Sequence, residues 1–138
     1  MTKPLVLDTH VWLWLLSGES QLSKQSIKQI QDATKQGQAY VSAISIWEIG
    51  MFVAKNRIKL YQECLQWVQQ ALQAPGLNLV QLTPEIAIDS TRLPQEFHGD
   101  PADRIIVATA RHLNASLLTR DKRILAYGRI GHVSVVSA

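Results

Sequence analysis

A single cysteine, Cys64, occurs in 138 residues. A lone thiol cannot close an internal disulfide, and nothing nearby supplies the companions of a zinc site, so the sequence predicts a chain of the reducing cytoplasm. No apolar run is long enough to span a bilayer, which argues against a membrane role. The apolar start "MTKPLVLDTHVWLWLL" is interrupted by Asp8 and followed by no small-residue cleavage site, unlike a signal peptide. Internal repeats and low-complexity tracts are missing too, which excludes solenoids and disordered tails. His10, His98, His112 and His132 are scattered without the spacing of a metal site or of a nucleophile and base pair, and none is assigned catalysis.

What is present is a folded domain's composition. At 46% hydrophobic and 18% charged, the chain has the apolar content to build a core, and its length fits one domain spanning 1–138. Four short apolar runs, "PLVL" (4–7), "AYV" (39–41), "LNLVQL" (77–82) and "ASLLT" (115–119), read as strands, with "HVSVV" (132–136) as a fifth. Helical patterns lie between them. One follows the N-cap residue Ser23 and stops at Gly37; others cover 44–55 and 61–73. Two more open on Thr83-Pro84 and Asp100-Pro101, with proline at the first helical position. Strands alternating with helices, each strand apolar on both sides, predict an α/β fold: a doubly wound, mostly parallel sheet of four to five strands with helices on both faces. Right-handed crossovers then bring every strand's C-terminal end to one edge, where such sheets bind ligands.

Four carboxylates fall at that edge. Asp8 follows the first strand, Glu48 lies early in the helix after the second, Asp103 sits in the first turn of the helix at 101, and Asp121 follows the fourth strand. Taken singly each has a plain explanation. Asp8 can cap a helix at Thr9, "SIWE" matches a capping box of Ser45 and Glu48, "DPAD" reads as a cap, and Asp121 can make a turn. Taken together they repel and raise one another's pKa unless a cation sits between them. Hard oxygen donors select Mg²⁺ or Mn²⁺ over zinc, and such ions serve phosphoryl chemistry. Glu48, alone among ionisable groups between Val41 and Ala54, is then explained as a member of the cluster. If four of the 11 acidic residues hold metal, the remaining 7 face 14 Lys and Arg, a balance suited to a nucleic-acid backbone.

The ordered motifs "LVLDTHVWLW", "SAISIWEIG", "GDPADRIIVATAR" and "LLTRDKRI" resemble those of PIN-domain ribonucleases, and most closely the VapC-type toxins of prokaryotic toxin–antitoxin pairs. The resemblance runs from Leu5 to Val136. It implies a metal-dependent endoribonuclease with Asp8, Glu48, Asp103 and Asp121 as the catalytic, Mg²⁺- or Mn²⁺-binding set, leaving 5′-phosphate and 3′-hydroxyl ends. It also implies Thr119 as a supporting hydroxyl, Ser45 as a possible second one, and Asp100 as an auxiliary cap. A homodimer and a small cognate antitoxin protein covering the site follow as expected partners, with RNA as substrate.

Arg104 and Arg120 are the leading candidates for substrate phosphate contacts, ahead of Arg111, Lys122 and Arg123. The basic alternation "KNRIK" (55–59) reads equally as an RNA track or a polar loop. Trp12, Trp14, Trp47 and Trp67 read as core or interface residues rather than base-stacking platforms, because they lie in apolar helical segments. Trp12 and Trp14, two apart on a helix, cannot both enter one core, which predicts that one meets a partner chain. Two rival functions stand beside the nuclease. One is a catalytically inert PIN-like module that binds RNA or protein, disfavoured by four filled acidic positions. The other is a small-phosphoester hydrolase, disfavoured by the lack of a "D-x-D" and of a Gly-rich phosphate loop.

Overall fold

Alternation along the first strand already sets up two cores. In the computed structural model, which describes residues 3–18, 21–97 and 99–138, β1 (Leu5–Leu7) sends Leu5 and Leu7 into one hydrophobic cluster and Val6 into another. Successive side chains of a strand point to opposite faces, so three residues with no exposed surface to spare define a sheet covered on both sides. Four more strands join it: β2 (Ala39–Ser42), β3 (Leu77–Val80), β4 (Ser116–Thr119) and β5 (Ser134–Ser137). All pairings are parallel and the order is β3-β2-β1-β4-β5. The expected strands are all present, with β5 starting two residues later and ending one residue later than its predicted range.

Among the described residues seven helices connect them: α1 (Thr9–Ser17), α2 (Lys24–Lys35), α3 (Ala43–Ala54), α4 (Cys64–Ala71), α5 (Pro84–Thr91), α6 (Pro101–His112) and α7 (Lys122–Ile130). One cluster gathers Val11, Trp12, Ile30, Ile49 and Val68 from α1 to α4; the other gathers Ile86, Ile106, Val107, Ile124 and Tyr127 from α5 to α7. Their assignment to opposite faces follows from the strand order, since right-handed crossovers must switch faces when the chain passes back from β3 to β4. The indoles of α1 separate as their spacing requires. Trp12 is fully enclosed and packs on Trp67, whereas Trp14 is half-buried.

The helix starts are specified locally. Ser23, Thr83 and Asp100 accept from the backbone N–H three residues on, as capping residues do. Ser45 is not a cap. Ser42 caps α3 by accepting from the Ile44 N–H at 3.2 Å, and Ser45 is buried within the first turn, where its hydroxyl serves the site described below. Nor does α7 belong to the predicted set, because its nine residues place only Ile124 and Tyr127 in the core and include Gly128. That glycine is required: a Cβ there would lie 2.1 Å from Val135 Cγ2 on β5.

Gly76 precedes β3 with φ +81°, and an added Cβ would meet the Thr34 carbonyl oxygen at 1.8 Å. Backbone cannot yield as a flexible side chain can. Gly76→Ala is therefore expected to destabilise the fold by more than ~1 kcal/mol, read as a lower urea midpoint with unchanged slope.

Candidate active site

The strand order reverses at β1, so the C-terminal ends of β1 and β4 open onto the switch point of the sheet, the usual ligand position in such folds. Asp8 closes β1 and caps α1. Its Oδ1 accepts from the Thr9 N–H at 2.8 Å, and its Oδ2 accepts from Thr119 Oγ1 at 2.6 Å. Thr119 Oγ1 also accepts from the Asp121 N–H at 2.9 Å, so one buried hydroxyl at the end of β4 fixes both acidic positions. Asp121 Oδ1 caps α7 by accepting from Arg123 N and Ile124 N at 2.8 and 3.1 Å.

Glu48, in the second turn of α3, is tied to the same edge through Thr9. Thr9 Oγ1 lies 2.5 Å from Glu48 Oε1 and 2.7 Å from Ser45 Oγ. Thr9 Oγ1 is the donor toward both acceptors, and because an ionised carboxylate only accepts, its single proton is held most strongly by Glu48. Asp103 stands in the first turn of α6, its N–H donating to Asp100 Oδ1 at 2.8 Å. Asp8, Glu48, Asp103 and Asp121 line one open cleft of about 480 Å³, together with Asp100, His10, Trp14, Phe52, Arg57 and Arg120.

The chain as a whole has known relatives. The PIN-domain profile matches residues 5–130. Ribonuclease VapC22 of Mycobacterium tuberculosis is 35% identical over 123 residues, 89% of this chain and 91% of the relative. The chain belongs to the PIN-domain family. Its fold is shared by the VapBC2 complex of Rickettsia felis bound to a promoter DNA fragment, with a TM-score of 0.71 at 16% identity over 96% of this chain and 97% of that one. A toxin–antitoxin complex from Klebsiella pneumoniae matches with a TM-score of 0.64 at 24% identity, covering 96% and 95% of the respective chains.

Electrostatics in this PIN domain follow from crowding. Burial is the largest cause raising the Asp103 pKa, and the carboxylates of Asp100, Asp121, Asp8 and Glu48 add to it, pushing it up to about 7. Burial also raises Glu48, opposed by the Thr9 hydrogen bond, and raises Asp8, opposed by Thr119 and the Thr9 N–H. Lowering by hydrogen bonds and raising by like charge act on the same groups, the signature of a site built to hold negative charge. Among the described residues no three Asp, Glu, His or Cys side chains are gathered tightly enough to form a metal's coordination shell as they stand. The donor chemistry nevertheless fits a hard cation: carboxylates that crowd one another, steadied by hydroxyls rather than by basic side chains.

The two candidate phosphate residues differ in placement. Arg120 lines the cleft, with Nε donating to the Ala138 carbonyl at 3.0 Å and Nη1 to Gln21 Oε1 at 3.3 Å. Arg104 does not line it; Nη2 donates to the Phe97 carbonyl at 2.7 Å and Nη1 to that of Ser90 at 3.4 Å, which ties the segment before α6 to α5. Arg111 is engaged by Asp89 and the His132 carbonyl. His98 lies outside the described residues. Sequence reasoning missed Thr9, whose signal is the hydroxyl directly after Asp8, gave His10 and Phe52 no place in the site, and read Trp14 as a core or interface residue.

Proposed function

We propose that this PIN domain is a metal-dependent endoribonuclease, the toxin of a toxin–antitoxin pair, using Asp8, Glu48, Asp103 and Asp121 to hold Mg²⁺ or Mn²⁺. The observation that carries this reading is the convergence of all four carboxylates on one cleft at the switch point, with two of them fixed by a shared buried threonine. When bound, the ion lowers the pKa of a water and stabilises the charge that develops on the phosphoryl oxygens during in-line displacement. The chain's own residues do the positioning. Thr119 orients Asp8, Thr9 orients Glu48, and Asp100 fixes the first turn that presents Asp103. Arg57 and Arg120 bring positive charge to an acidic cleft that an RNA phosphate must enter. Arg104 acts by holding the segment that leads into α6 rather than from the cleft lining.

The curated VapC22 relative supports RNA as the substrate, and the toxin–antitoxin complexes of the same fold support a small antitoxin as partner. Trp47 and Leu65, 58% and 59% exposed on α3 and α4, are apolar surface of the kind a partner chain covers, and a homodimer belongs to the same proposal. Among the described residues no helix is long and apolar enough to cross a membrane, and the lone cysteine suits the cytoplasm as the place of action.

The test is incubation of the purified chain with total RNA in Mg²⁺, Mn²⁺ or EDTA. Cutting that EDTA abolishes, with 5′-phosphate ends on the products, is the expected result. Tight RNA binding with no turnover in either ion would replace the enzyme with an inert binding module. The Thr9 hydroxyl gives a finer check. Thr9→Val removes the donor to Glu48 without changing side-chain volume, and is expected to weaken divalent-ion affinity roughly 10- to 100-fold, the usual effect of losing an outer hydrogen-bond partner. The dependence of cleavage rate on Mn²⁺ concentration measures it.

A further inference from the structure

Besides its carboxylates the cleft has aromatic lining that holding an ion and a phosphate does not require. His10 and Trp14 lie four residues apart and therefore on one face of α1. The His10 ring centroid is 5.8 Å from that of Trp14 and 5.3 Å from that of Phe52 on α3, tilted by 44° and 38°. The Arg120 guanidinium stands 5.2 Å from the centre of the Trp14 ring, with its Nε donating to the Ala138 carbonyl and its Nη1 to Gln21. Two residues earlier, Trp12 shows how this helix buries an indole completely. Trp14 instead keeps part of its ring open to the cleft.

The wall also continues. His10, Trp14 and Arg57 line both the acidic cleft and an adjoining one of about 300 Å³, whose further lining includes Lys59, Tyr61 and Trp67 and no acidic residue. Tyr61 is fully exposed there. Aromatic faces interleaved with cations, running away from a phosphate-handling centre, are the features of a single-stranded nucleic-acid track: bases stack on the rings and phosphates meet Arg and Lys. A paired base has both faces covered by its neighbours in the helix and cannot use such a wall.

We infer that Trp14, flanked by His10, which Phe52 backs in turn, is the stacking platform for an unpaired nucleobase next to the scissile phosphate, and that the adjoining cleft takes the next nucleotide, with Arg57 and Lys59 on its phosphate. This assigns Trp14 a substrate-contacting role that its apolar helical surroundings conceal in the sequence. It rests on the ribonuclease reading of the same site.

The test alters the substrate as well as the protein. A short single-stranded RNA spanning a mapped cut is made with an abasic ribonucleotide at each position flanking the bond, and cleavage by wild type, Trp14→Phe and Trp14→Leu is compared. In wild type, one flanking abasic position is expected to raise KM roughly 5- to 150-fold, the range for losing one base–aromatic stack, with a smaller change in kcat. Trp14→Leu is expected to match that loss on intact RNA and to be indifferent to the abasic site, and Trp14→Phe to keep most of the affinity. The abasic arm uses unaltered protein, so it reads the platform even if a variant folds poorly. Wild-type KM for Trp14→Leu on intact RNA, or equal abasic penalties in both proteins, overturns the inference and returns the wall to a partner chain. Anisotropy titration of the same RNAs into Asp103→Asn separates the two readings. Base- and Trp14-dependent binding with no cleavage by wild type removes the enzyme and keeps the platform; cleavage insensitive to both does the reverse.

Discussion

Asp8→Asn is expected to lower RNA hydrolysis by at least about 10²-fold, the scale on which a single contact to developing charge matters, while leaving the fold intact. The two halves of that expectation have separate causes. Asp8 is buried and pressed toward its protonated form by that burial, so a neutral amide of the same shape removes a cost rather than adding one. Asn is as good a capping residue as Asp, and its carbonyl oxygen can still accept from the Thr9 N–H that Asp8 now caps. Activity falls for a different reason: on the proposed mechanism the ion would lose a charged ligand at a position hydrogen-bonded to both β4 and α1. Initial rates in saturating Mn²⁺ and a thermal melt of the same preparation measure the two together. Asp103→Asn should behave alike. Full activity in either variant would remove the four-carboxylate mechanism, whereas lost activity with a collapsed melt would mean that Asp8 serves mainly as the cap of α1.

The sheet and the acidic set were legible because their signals are short and local. An apolar triplet ending in aspartate specifies both β1 and the start of α1, and a threonine or aspartate followed by proline announces α5 and α6 in two residues. The hydrogen bonds of Thr9 to Ser45 and Glu48 were not legible, since they join one hydroxyl to a hydroxyl 36 residues away and a carboxylate 39 residues away, through a geometry that exists only once α1 and α3 pack. "SIWE" has the spacing of a capping box, yet the chain places the cap three residues earlier at Ser42 and uses Ser45 inside the site. The same logic hid Trp14. Its apolar neighbours on α1 mark it as a core or interface residue, and whether an indole faces the core, a partner or a cleft depends on where α1 meets α3 and the Arg120 loop. A pattern of residue types records which side of a helix is apolar, but not which part of that side is covered.

Stability should fall as pH rises through the carboxylate range when no divalent ion is present. Asp103 titrates at about 7 in the folded chain against an ordinary value of 3.8, so between those limits the folded state retains a proton that the unfolded state has released. Stability falls with pH wherever the folded state binds more protons, and the raised pKa values of Asp8 and Glu48 act in the same direction. In EDTA the melting temperature should therefore drop from pH 5 to pH 8, and Asp103→Asn should flatten the drop. A divalent ion reverses it, because the ion binds the ionised cluster of the folded chain and not a dispersed set of carboxylates. At a hundred times its dissociation constant such an ion adds ~2.7 kcal/mol, on the order of 10 °C for a chain of this size. At pH 5, where a proton already occupies the site, Mn²⁺ should add little. A melting temperature that rises with pH in EDTA, or one that Mn²⁺ shifts equally at both pH values, would show that the carboxylates do not strain against one another, and the electrostatic case for a cation between them would fall with it.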